Sequence, residues 1–324
     1  MEEAIKNFAS QFSWAPEIKN LDAERPSWKF DKFTVCGMGG SALAAGLLKI
    51  NNPNLDLLIH RDYGLPRVPD YFLQEGLLIA SSYSGDTEET ISAFQAAREA
   101  GLSTAVIADR GKLLKMAEES QIPYIDLPNT GIQPRMALGY FCRALALLLG
   151  ENAVYEALGA LADVIKPENW RELGKSLAGK LAGRVPLIYS STVNLPLAYN
   201  WKIKFNETGK IPAFSNVFPE LNHNEMAGFD RQGNTKELSD KIYPIFLRDE
   251  TADDRIQRRM DLTAELYTDR GLPVEVVPLS GGNTLEKIFN SLLLADWTAY
   301  YTARHYGVEV EQVAMIEELK KKLR

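Results

Sequence analysis

Two short loops rich in glycine and hydroxyl side chains each follow a predicted β-strand and open a predicted helix. The first, residues 36–42, is CGMGGSA, and its glycines let the backbone approach a ligand closely. The second, residues 81–90, is SSYSGDTEET and carries hydroxyls at Ser82, Ser84 and Thr87. Three hydroxyls and the free N–H groups at a helix start suit a phosphate dianion. The second loop therefore predicts a phosphate site that contains no lysine or arginine.

Each loop also has a purely structural interpretation. The first can be a tight strand-to-helix turn, and the second can cap its helix through Thr87. A dinucleotide site is less favoured, because no clear acidic ribose ligand ends the second strand and Asp62 is the nearest option. The second loop also lacks the Gly-Lys-Ser/Thr of nucleotide triphosphate loops, so a sugar phosphate fits better than a polyphosphate.

Arg135 and Glu207 are candidates for proton-transfer chemistry next to a carbonyl. Arg135 follows Pro134, a residue suited to the first turn of a helix, and its positive fork can stabilise an enediolate. Glu207 ends a predicted helix just before Gly209, where a carboxylate can abstract a proton. Taken alone, the arginine is more commonly interpreted as a surface residue in an ion pair, and the glutamate as a solvated carboxylate.

His223 is the third candidate, and its neighbours are all polar. Asn222 and Asn224 flank it, and Glu220 precedes it in a Glu-x-x-His arrangement. These neighbours disfavour a core histidine and favour an acid–base role. Glu-x-x-His also occurs in metal sites, but only His305 could join after it, so no metal site is predicted.

Strand and helix patterns alternate along the chain. Short apolar runs predict strands, and longer segments with apolar residues at helical spacing predict the helices between them. The predicted strands are 34–37, 56–63, 76–83, 103–109, 122–128, 185–191, 242–249 and 273–279. This alternation predicts an α/β fold in which helices cover both faces of parallel sheets.

The alternation occurs twice, and each half ends on a long apolar helix. Residues 151–180 have a helical, polar pattern that is typical of a connection. We therefore expect two domains, residues 1–150 and residues 151–324, each a doubly wound parallel sheet in an αβα sandwich. The first is expected to hold the phosphate, and the second to supply most of the proton chemistry.

The composition disfavours several classes of protein. Lys and Arg number 36 against 43 Asp and Glu, a net charge of -7 that is unfavourable for binding nucleic acid. No segment is apolar enough to span a bilayer, and the first residues lack the apolar core of a signal peptide. Two cysteines and three scattered histidines predict a cytoplasmic protein without a disulfide framework or a zinc site.

The two glycine- and hydroxyl-rich loops together resemble those of a sugar isomerase (SIS) domain. Gly-x-Gly-Gly-Ser-Ala precedes Ser-x-Ser-Gly-x-Thr-x-Glu-Thr, and two such domains in one chain resemble the phosphoglucose isomerase superfamily. The resemblance implies two SIS-type domains that bind an aldose or ketose phosphate. The implied phosphate ligands are Gly40, Ser41, Ser82, Ser84 and Thr87.

Residues 204–230 resemble the bifunctional phosphoglucose/phosphomannose isomerases. They contain Asn-Glu before Lys-x-Pro-Ala-Phe, and then Pro-Glu-Leu-Asn-His-Asn-Glu. The resemblance implies that Glu207 moves a proton between C1 and C2, so that glucose 6-phosphate or mannose 6-phosphate and fructose 6-phosphate interconvert through a cis-enediol. It also implies that Arg135 stabilises the enediolate and that His223 opens the sugar ring from the partner subunit of a homodimer. No metal or cofactor is implied, since the proton returns to a neighbouring carbon.

The C-terminal residues match this family least closely. A lysine on the last helix assists at the ring oxygen in the family, and Lys320 fits best, with Leu319 and Leu323 expected on a buried face. A solvated helix end is the alternative. Family members often carry a threonine here that is linked to mannose 6-phosphate, whereas residues 308–324 contain no threonine and contain Gln312. Conventional phosphoglucose isomerases use glutamine in that role, so the resemblance implies the glucose activity more strongly than the mannose activity.

Two other functions are compatible with the same motifs. A sugar-phosphate sensor without catalytic activity would be expected to carry an output element such as a basic helix-turn-helix, and no such pattern is present. An amino-sugar enzyme with a glutaminase half would be expected to carry an N-terminal nucleophile segment, which is also not seen. Activity on different sugar phosphates would separate these functions.

Overall fold

The computed structural model describes residues 1–21 and 29–323. By contacts it forms two compact units. The first unit is Asn7–Ile165, and the second unit is Met1–Lys6 together with the chain from Lys166 onward. Each unit contains one parallel sheet against which helices pack, so the α/β architecture with two doubly wound sheets is confirmed.

The observed strands and helices follow the alternating pattern of the sequence. The strands are β1 (Lys32–Cys36), β2 (Asp56–His60), β3 (Leu77–Ser82), β4 (Ser103–Ala108), β5 (Tyr124–Asp126), β6 (Val185–Ser191), β7 (Phe214–Phe218), β8 (Ile242–Arg248) and β9 (Glu275–Pro278). The helices are α1 (Glu2–Lys6), α2 (Gly40–Asn51), α3 (Asp70–Gln74), α4 (Glu88–Glu99), α5 (Gly111–Glu119), α6 (Leu138–Leu148), α7 (Asn152–Val164), α8 (Arg171–Lys180), α9 (Leu195–Lys204), α10 (Lys236–Ser239), α11 (Asp254–Asp269), α12 (Thr284–Tyr306) and α13 (Ala314–Leu323). Among the described helices, none is long and apolar enough to cross a membrane.

The first unit's sheet has the strand order β2-β1-β3-β4-β5, and every neighbouring pair is parallel. β3 is buried along its whole length, as expected for a central strand covered on both faces. The apolar runs of these strands and the small residues of α2 form much of this unit's core. This order brings the carboxyl ends of β1 and β3 together.

The second unit's sheet has the order β7-β6-β8-β9 and is also parallel. Its edge strand β7 was not predicted from the sequence. Phe214 is exposed and the three residues after it are only partly buried, so this strand has no continuous apolar run. α12, the longest helix, is largely buried and packs against α8 and α9.

Helices α7 and α1 group differently from their order in the chain. α7 follows the boundary expected at residue 150, yet it packs on α6 and on the turn Phe8–Ser13 and buries Leu158 and Leu161. α1 belongs to the second unit, where Glu2 accepts hydrogen bonds of 2.9 Å from Arg171 and from Tyr300. How the chain divides into domains that are stable on their own stays a prediction.

Candidate active site

The predicted phosphate loops lie at the carboxyl edge of the first unit's sheet, where the strand order reverses. β1 and β3 are neighbours, and the next strands along the chain, β2 and β4, lie on opposite sides of them. Ligands of open α/β sheets bind in the crevice at such a point. Residues 37–41 follow β1 and residues 83–87 follow β3, so both loops begin at this crevice.

Hydrogen bonds through Ser41 join the two loops. Its backbone oxygen accepts from Ser81 Oγ at 2.8 Å, and its Oγ accepts from the Tyr83 N–H at 2.9 Å. Gly37 allows this approach, because a Cβ there would lie 2.7 Å from the backbone oxygen of Ser81. Ser41 is buried, and its hydroxyl keeps a proton that it can donate to a ligand.

The hydroxyls of the second loop hold that loop in a closed turn. Ser82 Oγ lies 2.8 Å from Thr87 Oγ1 and accepts from the Gly85 N–H at 3.1 Å. Ser84 Oγ accepts from the Asp86 N–H at 3.3 Å. Thr87 precedes α4, yet its side chain makes no capping bond to the described residues of that helix. Its hydroxyl therefore belongs to the hydroxyl cluster of the loop rather than to the helix end.

The segment after β4 supports the second loop, and sequence reasoning did not single it out. Gly85 has a φ of +69°, and a Cβ there would lie 1.6 Å from the backbone oxygen of Arg110. Gly111, with a φ of +84°, turns the chain so that the Lys112 N–H donates to Asp86 Oδ1 at 2.9 Å. Asp-Arg-Gly directly after a buried strand was the signal that could have indicated this support.

Asp109 is a buried carboxylate at the same edge of the sheet. Its Oδ2 accepts from Arg110 Nη1 at 2.6 Å, and its backbone N–H donates to the Tyr83 oxygen at 3.1 Å. Burial raises the pKa of the Asp109 carboxyl, while the Arg110 guanidinium acts in the opposite direction. Negative charge at this position is therefore disfavoured by its surroundings.

Arg135 lies next to the start of α2. It lies in the 3₁₀ helix Pro134–Met136, which has Pro134 in its first turn as expected, and α6 begins separately at Leu138. A Cβ on Gly40 would lie 2.7 Å from the Pro134 backbone oxygen and 2.9 Å from the Arg135 backbone nitrogen. Arg135 is only 2% exposed. The first unit thus gathers all five predicted phosphate ligands and Arg135 at one edge of the sheet.

Glu207 lies on a π-helical turn, Phe205–Gly209, that continues α9. π-Helical turns are rare in proteins overall, and many of those that do occur lie at functional sites. The glutamate is half-buried, and its backbone oxygen accepts from Lys210 Nζ at 2.6 Å. Lys210 Nζ also donates to the backbone oxygen of Gln312. The structure therefore brings the backbone of Gln312 close to the Glu207 turn.

His223 is exposed and ends the 3₁₀ turn Glu220–His223 that follows β7. Asn222 Nδ2 anchors this turn to α11 through a 2.9 Å bond to Thr263 Oγ1, and Asn224 Nδ2 donates to Glu220 Oε1 at 2.6 Å. Within residues 1–21 and 29–323, no group of three or more His, Cys, Asp and Glu side chains could hold a metal. His223 contributes to a pocket of about 310 Å³, lined by Asn222, His223, Asn224, Met226, Ala227, Phe229, Asp230, Leu266, Tyr267 and Arg270.

The chain was compared with known proteins and family models. It is 34% identical to the bifunctional phosphoglucose/phosphomannose isomerase of Caldicellulosiruptor bescii over 100% of this chain and 98% of that protein. It is 31% identical to the protein of the same name in Aquifex aeolicus, over 100% of this chain and 99% of that protein. The chain belongs to the bifunctional phosphoglucose/phosphomannose isomerase family. The model of the bacterial phospho-glucose isomerase C-terminal SIS domain matches residues 171–323.

A solved structure supports the fold expected for this isomerase family. Tagatose-6-phosphate ketose/aldose isomerase from Escherichia coli superposes with a TM-score of 0.69 at 17% sequence identity, covering 96% of each chain. The SIS-type architecture expected from the two loops is confirmed.

Lys320, the lysine matched to this isomerase family's last helix, is exposed on α13 and pairs with Glu317 through a 2.8 Å contact. The buried face expected for this helix is wrong for the single chain. Leu319 is 57% exposed and Leu323 is 66% exposed, and α13 buries none of its described residues. The Leu-Lys-x-x-Leu spacing correctly predicted a helix, but within residues 1–21 and 29–323 nothing buries its apolar side chains.

The second unit has a similar crevice at the carboxyl ends of β6 and β8, and this crevice contains a carboxylate. β6 and β8 are the neighbours at which the order reverses, and Asp249 follows β8 directly. Its Oδ1 accepts from the Thr251 N–H at 3.0 Å, from Thr251 Oγ1 at 2.7 Å and from Lys287 Nζ at 2.9 Å. Burial opposes ionisation, but the bonds from Thr251 and Lys287 outweigh it and lower the pKa of Asp249.

Proposed function

We propose that this chain is an aldose–ketose isomerase that interconverts glucose 6-phosphate, and also mannose 6-phosphate, with fructose 6-phosphate. The observation that carries the proposal is the crevice between β1 and β3, lined by hydroxyls and helix-start N–H groups in a chain of this family. A neutral cradle of this kind suits one phosphate dianion.

Each predicted site residue has a role in the proposed reaction. The hydroxyls of Ser41, Ser82, Ser84 and Thr87 and the backbone at Gly40 hold the phosphate group. His223 and Lys320 act in opening the sugar ring.

Glu207 then takes the proton from C2 of the open-chain aldose and returns it to C1. The proton of the C2 hydroxyl moves to the C1 oxygen in the same reaction, so that the C1 carbonyl becomes a hydroxyl and the C2 hydroxyl becomes a carbonyl. Arg135 stabilises the negative charge on the enediolate between these two steps. No electrons leave the sugar, so the reaction as proposed needs no redox cofactor.

The decisive test uses Glu207→Gln, which keeps the shape of the side chain and removes the base. We expect sugar-phosphate binding to persist and turnover to fall about 10²–10⁴-fold, the usual contribution of general acid–base catalysis. Glu172→Gln is the matched control, because Glu172 is an exposed residue on α8. Normal turnover of Glu207→Gln would remove Glu207 from the mechanism.

Coupled assays with several sugar phosphates test the substrate class. Glucose 6-phosphate and mannose 6-phosphate are expected to give fructose 6-phosphate, with the glucose substrate preferred because residues 308–324 contain Gln312 and no threonine. Glucosamine 6-phosphate is expected to give no product. Binding of all three sugars without turnover would instead favour a sensor.

We also propose a homodimer in the cytoplasm in which His223 acts in the partner's active site, with glycolysis and gluconeogenesis as its metabolic setting. The exposure of His223 and the two buried free cysteines support this proposal. Mixing inactive Glu207→Gln with inactive His223→Asn should restore part of the activity through hybrid sites. No recovery, with subunit exchange demonstrated, would argue for sites within one chain.

A further inference from the structure

The turn that carries Glu207 begins directly after a buried ion pair. Lys204 ends α9, and its Nζ lies 2.6 Å from Asp296 Oδ1 on α12. The two side chains are only 2% and 3% exposed. The residue after Lys204 is already part of the π-helical turn Phe205–Gly209. The ion pair therefore fixes the end of α9 at the point where the chain changes to the wider π turn.

Stability alone is a poor explanation for a pair in this position. Removing two charges from water costs a large part of what their attraction returns, and apolar residues of similar volume often replace a buried pair without loss. An ion pair does, however, define one geometry, because the ammonium and the carboxylate attract each other at one separation and direction.

Other contacts hold the same turn from both sides. Before it, Trp201 Nε1 donates to Ser291 Oγ on α12 at 2.9 Å, and both residues are buried. Within it, Asn206 Nδ2 donates to the Ile211 backbone oxygen at 3.0 Å. Thr208 is also buried. The Lys204–Asp296 pair adds a buried ion pair to these contacts.

We propose that Lys204 and Asp296 are positioning residues for Glu207, holding the π turn on α12 so that the carboxylate reaches the sugar carbons. Neither residue touches the substrate in this proposal, and each acts through the position of the turn. The inference rests on the proposed role of Glu207 as the base. A displacement of about 1 Å at a reacting group is enough to reduce turnover on the order of 100-fold.

The test compares single and double apolar variants. Lys204→Met or Asp296→Leu alone removes one partner of the ion pair and leaves the other charge buried, and we expect a lower melting temperature for each. The double variant Lys204→Met/Asp296→Leu removes both charges, and its melting temperature is expected to return toward that of the wild type. Its kcat is nevertheless expected to be about 100-fold lower, while KM changes less than about threefold.

An isotope effect separates positioning from a loss of folded protein. With glucose 6-phosphate deuterated at C2, a misplaced base slows the proton transfer, so the isotope effect on kcat is expected to rise in the double variant. Partial unfolding lowers kcat in proportion to the folded fraction and leaves the isotope effect unchanged. A double variant with wild-type kcat, or with a loss equal to its unfolded fraction, overturns the proposal.

Two further variants complete the design. Lys180→Met removes an ion pair with Glu275 at the amino end of β9, the edge opposite the crevice, and is expected to keep the wild-type kcat and isotope effect. Lys204→Arg keeps the charge but changes its reach, so it is expected to remain folded and lose about tenfold in kcat with a raised isotope effect. Unchanged values for Lys204→Arg count against positioning.

The Glu207→Gln variant tells the two proposals apart. If Glu207→Gln retains turnover, the role of Glu207 fails and this inference fails with it. If Glu207→Gln is inactive while the Lys204→Met/Asp296→Leu variant behaves as wild type, only the positioning role is refuted.

Discussion

Adding one methyl group at Gly40, one of the predicted phosphate ligands, should damage the site while every predicted catalytic side chain stays in the sequence. The Cβ of Gly40→Ala would lie 2.7 Å from the Pro134 backbone oxygen and 2.9 Å from the Arg135 backbone nitrogen. Ordinary Cβ contacts begin at 3.4 Å, so the start of α2 and the Pro134–Met136 turn must separate by about 0.7 Å. Both partners are backbone atoms, so no side-chain rotation can relieve the contact.

Two consequences follow from this separation. Overpacking of this kind costs roughly 1–3 kcal/mol of stability. A shift close to 1 Å in a positioned group costs up to about 100-fold in rate, so kcat of Gly40→Ala should fall by one to two orders of magnitude. KM should rise as well, because the same movement disturbs the N–H groups at the start of α2.

Steady-state kinetics with glucose 6-phosphate and urea unfolding measure both effects. Gly179→Ala is the matched control, since a Cβ there meets nothing within 4 Å and the helical position of Gly179 in α8 favours alanine. The control is expected to keep wild-type kinetics and gain up to about 1 kcal/mol. Wild-type kcat, KM and stability in Gly40→Ala would refute the argument that the close backbone approach holds Arg135 in place.

Three further outcomes follow from the same structure. The raised pKa of Asp109 means that the folded state binds the carboxyl proton more tightly than the unfolded state does. The folded protein therefore loses stability as the pH rises from the ordinary pKa of an aspartate through the raised pKa of Asp109. Asp109→Asn should therefore gain in melting temperature relative to wild type as pH goes from acid to neutral, and a constant difference would contradict this. Burial raises the pKa of Cys36 to about 12 and also raises the pKa of Cys142, so neither thiol should react with a disulfide reagent at pH 8 until the protein is unfolded. Lys320→Met should lower kcat/KM for cyclic glucose 6-phosphate about tenfold or more, whereas Lys322→Met, a neighbouring lysine paired with Glu318, should not; equal effects would remove Lys320 from ring opening.

The strands that form the two crevices could be predicted from the sequence because they are buried. β1, β3, β6 and β8 are continuous apolar runs that end in glycine, serine or a charged residue, and each was expected within a few positions of where it lies. β7 could not be predicted, because it is an edge strand with Phe214 exposed and asparagine in its middle. A buried strand can be recognised in the sequence by its continuous run of apolar residues, and a strand that buries few residues has no such run.

Contacts between site residues that are close in the sequence could be predicted, whereas contacts between distant residues could not. Loop composition was enough to predict that hydroxyls at Ser82 and Thr87 would lie together, because Ser82 ends β3 and Thr87 is five residues further along the chain. The support from Arg110 and Asp86 was missed, since it depends on two loops that meet only when β3 and β4 pair. The Lys204–Asp296 contact was likewise invisible, because its partners are far apart in sequence.

The carboxylate of Asp249 has a consequence for the charge of the crevice in the second unit. A group attached to the chain is present at its own binding site at an effective concentration that dissolved ions seldom reach. Thr251 and Lys287 therefore already donate to a carboxylate of their own chain, and the lowered pKa of Asp249 favours its ionised form. The two crevices have the same strand arrangement, but hydroxyls line the predicted phosphate site of the first unit, whereas a carboxylate already occupies the crevice of the second, so the two similar halves differ in charge without any change of fold.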